Sequence, residues 1–259
     1  MHPTPLTANV HRNLSRLLAI GLLLLAATPA SAARRIALCI GINEYGAAES
    51  LKYAVRDATA MGAELRRRGF DEVATIHDAQ ASRERILAEL ARLSAAVAPG
   101  DTVVIFFAGH ARRVTAAAVV ETYLVPHGCA HGAETTGGLS IRALAEQAAG
   151  FVGAKVLLLL DACHSGDEFA MPVRDLDTTA AALEILTAGS ELELAFEQAG
   201  HGLFTRAILN ALVTADGAAP PVTGAALAQS VAAAVTRATG GWQRPHFRAF
   251  GVSAGDVLL

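Results

Sequence analysis

An α/β fold built on a mostly parallel sheet is what the 259-residue sequence predicts, and three observations carry that prediction. The apolar runs Ile36 to Ile42, Thr102 to Phe107 and Val156 to Leu160 read as strands covered on both faces, since a half-exposed strand would alternate in polarity. Between them lie segments whose apolar residues recur at helical spacing. No internal repeat or interdomain linker interrupts the pattern, and with 53% hydrophobic residues the chain has enough apolar surface for one substantial core. Residues 33–259 therefore read as a single domain.

Taken in order, Ile36 to Ile42 is the first strand, and Ser50 is placed to cap a helix from Leu51 to Arg68 with Leu51, Val55, Ala58 and Leu65 on one face. Gly69 stops it. A short strand near Val73 to Ile76 leads to a helix from Ser82 to Val97, whose Ile86, Leu90, Leu93 and Val97 form the apolar stripe and which Pro99 and Gly100 terminate. The strand Thr102 to Phe107 follows, then a briefer one around Thr122 to Val125, a helix opened by Ser140 and running to Ala149, and the strand Val156 to Leu160. Residues 166–180 are polar and acidic and read as a loop. A strand from Leu183 to Ala188 and helices at Phe204 to Val213 and Leu227 to Val235 complete the chain.

The N-terminus has a different logic. Arg12 and Arg16 precede an apolar run from Leu17 to Ala27, followed by Pro29 and the small residues Ala30, Ser31 and Ala32. That layout predicts a secretory signal over residues 1–32, cleaved after Ala32, and hence an exported protein, periplasmic or secreted. The run is short for a membrane span, which needs about 20 residues, so the alternative of an uncleaved anchor is disfavoured. Without the signal the chain keeps 19 basic against 24 acidic residues, and its only basic run, Arg66 to Arg68, falls at a helix end. No nucleic-acid surface is expected. Three cysteines, Cys39, Cys129 and Cys163, leave at least one thiol unpaired outside the cytosol. Cys39 lies in an apolar run and reads as core; Cys129 lies in a loop, and a pairing between these two is left open.

Two buried strands end in chemistry. "VVIFFAGH" delivers His110 and "VLLLLDAC" delivers Cys163, and in a parallel sheet neighbouring strands present such residues at one edge. An imidazole beside a thiol can take its proton or stabilise the thiolate, which then attacks a carbonyl carbon. Either residue alone reads more simply as a surface histidine or a core cysteine. Together, each beside a glycine (Gly109, Gly166), they make a candidate nucleophile and base.

The blocks "ALCIGINEYG" (37–46), "FFAGH" (106–110), "LLLLDACHSG" (157–166) and "HGLFTRAILNAL" (201–212) resemble, in order, those of caspase-fold cysteine peptidases, most closely the bacterial metacaspase-like or orthocaspase branch. His110 precedes Cys163 by 53 residues, against about 50 in the caspase pattern. The resemblance implies a three-layer α/β/α sandwich, a Cys163–His110 dyad working through an acyl-enzyme intermediate, and an oxyanion hole from the N–H groups of Cys163 and of the residue after the histidine. That residue is Ala111 where the family has glycine; if the loop required positive φ, its Cβ would cost about 1 kcal/mol or more. The resemblance further implies that Asp57 and Asp161 bind a basic side chain, giving cleavage after Arg or Lys of a protein or peptide substrate. A serine that some relatives carry two residues before the histidine is Ala108 here. The rival specificity, for acidic residues, would use Lys52 or Arg56.

Arg174, in the polar segment after the nucleophile block, is a candidate autocleavage site. Asp167 and Glu168 belong to an acidic stretch of the kind some relatives use for calcium activation, but no twelve-residue calcium loop is visible. His127, His131, His201 and His246 lack metal-ligand spacing, and no metal or other cofactor is expected. The competing function is a catalytically silent caspase-fold module that binds a peptide or partner; a cysteine hydrolase on another α/β fold is a further rival.

Overall fold

The computed structural model describes residues 32–46, 49–116, 119–162, 176–189, 197–198, 200–213, 221–251 and 257–259. The signal-like residues 1–31, Cys163 and Arg174 lie outside the described residues, as do His164, Asp167 and Glu168. In chain order the elements are β1 (Arg35–Gly41), α1 (Ala54–Arg67), β2 (Glu72–His77), α2 (Arg83–Ala96), β3 (Thr102–Ala108), β4 (Ala111–Ala116), β5 (Val119–Leu124), α3 (Glu134–Gly137), β6 (Leu139–Ser140), α4 (Ile141–Ala149), β7 (Lys155–Asp161), β8 (Ala182–Thr187), β9 (Glu197–Gln198), β10 (His201–Gly202), α5 (Leu203–Leu212), α6 (Gly224–Ala238) and β11 (His246–Phe250). A 3-10 turn spans Asp78–Gln80.

Six strands form the central sheet in the order β11-β8-β7-β3-β1-β2, parallel except at β11, which pairs antiparallel with β8. The apolar runs are continuous because both faces are covered. On one face Ile36, Leu38, Ile40, Ile105 and Leu158 pack with Ile86, Leu90 and Leu93 of α2 and with Ile141 and Leu144 of α4. On the other face Ala37, Cys39, Val104, Phe106 and Leu159 meet Ala58, Met61 and Leu65 of α1, Phe204 and Ile208 of α5, and Val231 of α6. Successive strand residues alternate between these two clusters, as the pleat requires. The result is a three-layer α/β/α sandwich. Ala33–Leu259 forms one compact unit, and among the described residues no helix is long and apolar enough to cross a membrane.

Local chemistry explains the boundaries. Ser82 and Ser140 cap α2 and α4, their hydroxyls accepting from the N–H of Arg85 and Ala143 at 3.3 and 3.2 Å. Ser50 does not cap α1. Its hydroxyl donates to the Gly46 carbonyl at 2.9 Å, and the helix starts at Ala54, three residues later than expected. Cys39 is fully buried, and burial pushes its thiol up to about 12, which suits an inert core residue. Cys39 and Cys129 are both free thiols, so no bridge joins them.

Candidate functional site

The register sets the geometry. β3 and β7 pair so that Ala108 stands opposite Asp161, and Gly41 of β1 stands opposite Ala108. The Gly109 N–H continues the contact, donating to the Asp161 carbonyl at 3.2 Å. His110 thus leaves β3 two residues beyond a row whose partner on β7 is two residues before Cys163. Neighbouring strands run about 4.8 Å apart, so the histidine and the chain leading to the thiol leave adjacent positions of one rim.

His110 is held on three sides. Its Nε2 lies 2.7 Å from the Glu49 carbonyl. A carbonyl only accepts, so Nε2 carries the hydrogen, and in the neutral ring Nδ1 is the nitrogen able to take a proton. The Tyr45 ring packs against the imidazole, with centroids 4.5 Å apart and planes tilted by 52°. Its hydroxyl accepts from the His110 main-chain N–H at 3.0 Å and donates to the Val125 carbonyl at 3.1 Å. Burial pushes that phenol above its ordinary value, so it stays protonated and keeps the second bond. Gly109 makes room: a Cβ there would stand 2.4 Å from the Tyr45 hydroxyl.

The Glu49 carbonyl is itself anchored. Arg112 pairs with the Glu49 carboxylate at 2.7 Å and, through Nε, with Glu134 at 3.2 Å. The hydrogen bond from Arg112 is the main reason the Glu49 carboxyl lies below the usual carboxylate range.

Ala111 opens β4 as an extended residue, and among the described residues the only non-glycine at positive φ is Asp78. The steric penalty foreseen for an alanine here does not arise. The Val125 N–H donates to the His110 carbonyl at 2.9 Å, which puts the Ala111–Leu124 pair on the non-hydrogen-bonded step of the β4–β5 ladder. The Ala111 N–H therefore points away from β5.

Asp57 and Asp161, 104 positions apart in the chain, converge on Gly202. A Cβ at Gly202 would stand 2.6 Å from Asp161 Oδ2 and 3.2 Å from Asp57 Oδ2. Both acids are buried. Asp57 accepts from His201 Nδ1 at 2.5 Å and from the Gly202 N–H at 3.0 Å. Asp161 accepts from the Thr205 hydroxyl at 2.5 Å and the Thr205 N–H at 3.2 Å. The two carboxylates therefore sit at the N-terminus of α5, where they satisfy main-chain donors and face the positive end of the helix. Neither Asp57 nor Asp161 is a solvated surface acid. Lys52 and Arg56, the residues of the rival acidic specificity, are exposed.

Several of these residues do not stand out from sequence. His201 is the partner of Asp57, Thr205 holds Asp161, and Tyr45, Glu49 and Arg112 fix His110. Tyr45, His201 and Thr205 lie inside the blocks "GINEYG" and "HGLFT", which was the available signal; Glu49 and Arg112 carried none. Among the described residues no group of three or more His, Cys, Asp or Glu is arranged to hold a metal ion.

A mostly parallel sheet inside a three-layer sandwich, with a histidine just beyond its carboxyl rim, defines a class, and comparison agrees: the chain belongs to the caspase-domain peptidase family, whose model matches residues 34–251. This is a family of cysteine peptidases, hydrolases acting on protein substrates. Among solved structures, the crystal structure of protein GSU0716 from Geobacter sulfurreducens is similar in fold, with a TM-score of 0.65 at 21% identity over 84% of this chain and 94% of that one. No curated protein matches the chain.

Proposed function

We propose that the protein is an exported cysteine endopeptidase that hydrolyses peptide bonds after arginine, and after lysine, through a Cys163–His110 dyad. The observation that carries this reading is the arrangement of His110: anchored through Nε2 to the Glu49 carbonyl, with Nδ1 left as the basic nitrogen, beside the strand that leads into Cys163. In the proposed reaction Nδ1 takes the thiol proton and the thiolate adds to the scissile carbonyl carbon. The Ala111 and Cys163 N–H groups stabilise the oxyanion, and His110 returns the proton to the leaving amine. Water then adds to the thioester, again with His110 as base, and releases the carboxylate product and the free thiol.

The basic preference is supported by the pair of buried carboxylates, which suit a guanidinium fork, and by the exposed setting of Lys52 and Arg56. Export is inferred from residues 1–32, and calcium enters only as an activator to be tested. Fluorogenic peptides ending in Arg, Lys or Asp, assayed with and without calcium, test the reading. Cleavage after Arg and Lys is expected, and Cys163→Ala and His110→Ala should each lower kcat by about a thousandfold or more. Undiminished turnover by Cys163→Ala, or preference for the Asp peptide, would refute it. Mass spectrometry of the purified chain should find a cut after Arg174 in the wild type and none in Cys163→Ala.

A further inference from the structure

At the opposite rim of the sheet, where β1 and β3 begin, lies a cavity of about 560 Å³. Arg34, Arg35, Arg67 and Arg68 line it, Pro221 and Leu258 add an apolar wall, and the one anionic group among the lining residues is the carboxylate of the last residue, Leu259. The chain as a whole carries a net charge of -3, so four guanidinium groups around one opening are not a sample of its average surface. The strands are seven residues long, which puts this cavity about 20 Å from His110.

The four arginines differ in how they are matched. Arg34 pairs with Asp101 at 3.1 Å, and Arg67 grips Glu64 through two nitrogens at 2.6 and 2.8 Å. Arg68 donates to the Leu212 carbonyl at 2.8 Å and to the carboxylate of the last residue, Leu259, at 2.7 Å. Arg35 donates once, to the Arg68 carbonyl at 2.7 Å, and stacks on Phe70 with its guanidinium carbon 4.4 Å from the ring centroid. No carboxylate forms an ion pair with Arg35 among the described residues; Asp71 instead accepts its main-chain N–H, at 2.8 Å. Burial, and then the charge of Arg68, holds the Arg35 guanidinium below its ordinary value, with Asp71 acting the other way. A guanidinium has five N–H donors in a planar fork, and among the described residues four of those on Arg35 make no hydrogen bond. A partly desolvated cation beside another, opening into a cavity of small-molecule size, is favourable when an anion occupies the space.

We propose that this cavity binds a small phosphate-bearing molecule, its phosphate held by the Arg35 fork in the field of the other three arginines and its apolar part lying against Pro221 and Leu258. Several donors around one cavity suit a tetrahedral oxyanion with at least three acceptor oxygens. The site is separate from the peptidase rim and stands whether or not the protein cleaves peptides.

Calorimetric titration of the full chain with pyrophosphate and with phenyl phosphate, at ionic strength matched by sodium chloride, tests the proposal. Saturable binding is expected, with phenyl phosphate gaining from the apolar wall. Arg35→Gln should weaken it by about tenfold or more, and Arg35→Lys, which keeps the charge and loses the fork, by less. If Arg35→Gln does not fold, Arg34→Gln removes another lining charge and should weaken binding by about threefold. No saturation up to about 10 mM, or a heat of titration matched by sodium chloride alone, overturns the proposal, as does binding unaltered in the folded variants.

Discussion

The two rims of the sheet carry opposite charge, and one helix joins them. α1 begins beside the candidate catalytic rim with Asp57 in its first turn and ends at the other with Arg66 and Arg67 in its last. Its 14 residues run about 21 Å, the length of the strands it covers. Each end obeys the helix dipole, acid at the N-terminus and base at the C-terminus. The acids at the upper rim are matched mainly by N–H and hydroxyl donors and by His201, whereas the arginines at the lower rim meet main-chain oxygens and the buried acids Asp101 and Glu64. A strand going up and a helix coming back thus separate charge along the molecule, so the buried carboxylate pair and the arginine-lined cavity fall at opposite ends without any long-range design.

Breaking the upper rim should have the largest effect. Asp161→Asn keeps an acceptor for Thr205 but removes the charge, so the preference for an arginine peptide over its citrulline isostere should fall by about a hundredfold. If that ratio holds while the melting temperature drops, Asp161 serves α5 alone. Tyr45→Phe keeps the ring against His110 and deletes the hydroxyl that bridges His110 N–H and Val125 C=O. A loss of about tenfold in kcat with KM unchanged is expected, together with a displaced pH–rate profile; a loss confined to stability would assign Tyr45 to the fold only.

Arg112→Gln should cost about threefold in kcat, by freeing the Glu49 segment that anchors His110. Glu49 is held below the usual carboxylate range, so the Arg112 contact contributes above the unfolded carboxyl pKa and is lost as pH falls through the folded value. Wild type and Arg112→Gln should therefore converge in acid, and a constant ratio from neutral to acid pH would argue against the link. At the lower rim, Asp101 is buried, which raises its pKa, but the N–H groups of Ala98 and Arg34 outweigh this and hold the carboxyl low. Asp101→Asn should destabilise by about 1–3 kcal/mol in urea at neutral pH, with the difference shrinking as pH falls through the depressed value. It should leave peptide cleavage unchanged.

Legibility followed burial. β1, β3 and β7 announce themselves because both faces are apolar, and α2 and α4 because their serine caps are local signals. The start of α1 was misplaced because Ser50 hydrogen-bonds backward to Gly46, a choice made by the tertiary path of residues 42–46. β4, with Arg112 and Arg113 in its middle, and the edge strand β11, "HFRAF", lack the apolar runs that marked the central strands. In the candidate site, the positions of His110 and Asp161 at the sheet's rim were readable because one follows and the other ends a buried strand. His201 was not assigned to Asp57, because the contact spans 144 residues and nothing local requires it.

The pairing of Ala108 with Asp161 has a consequence for how such a protein can change. Adding or deleting one residue within β3 or β7 would invert every side chain beyond it, turning core positions outward and swinging the terminal residues to the wrong side. Length variation is tolerable in the connections and forbidden in those two segments, so lineages of this molecule should diversify at its loops while the relative placement of His110 and Asp161 is inherited unchanged from the buried interior.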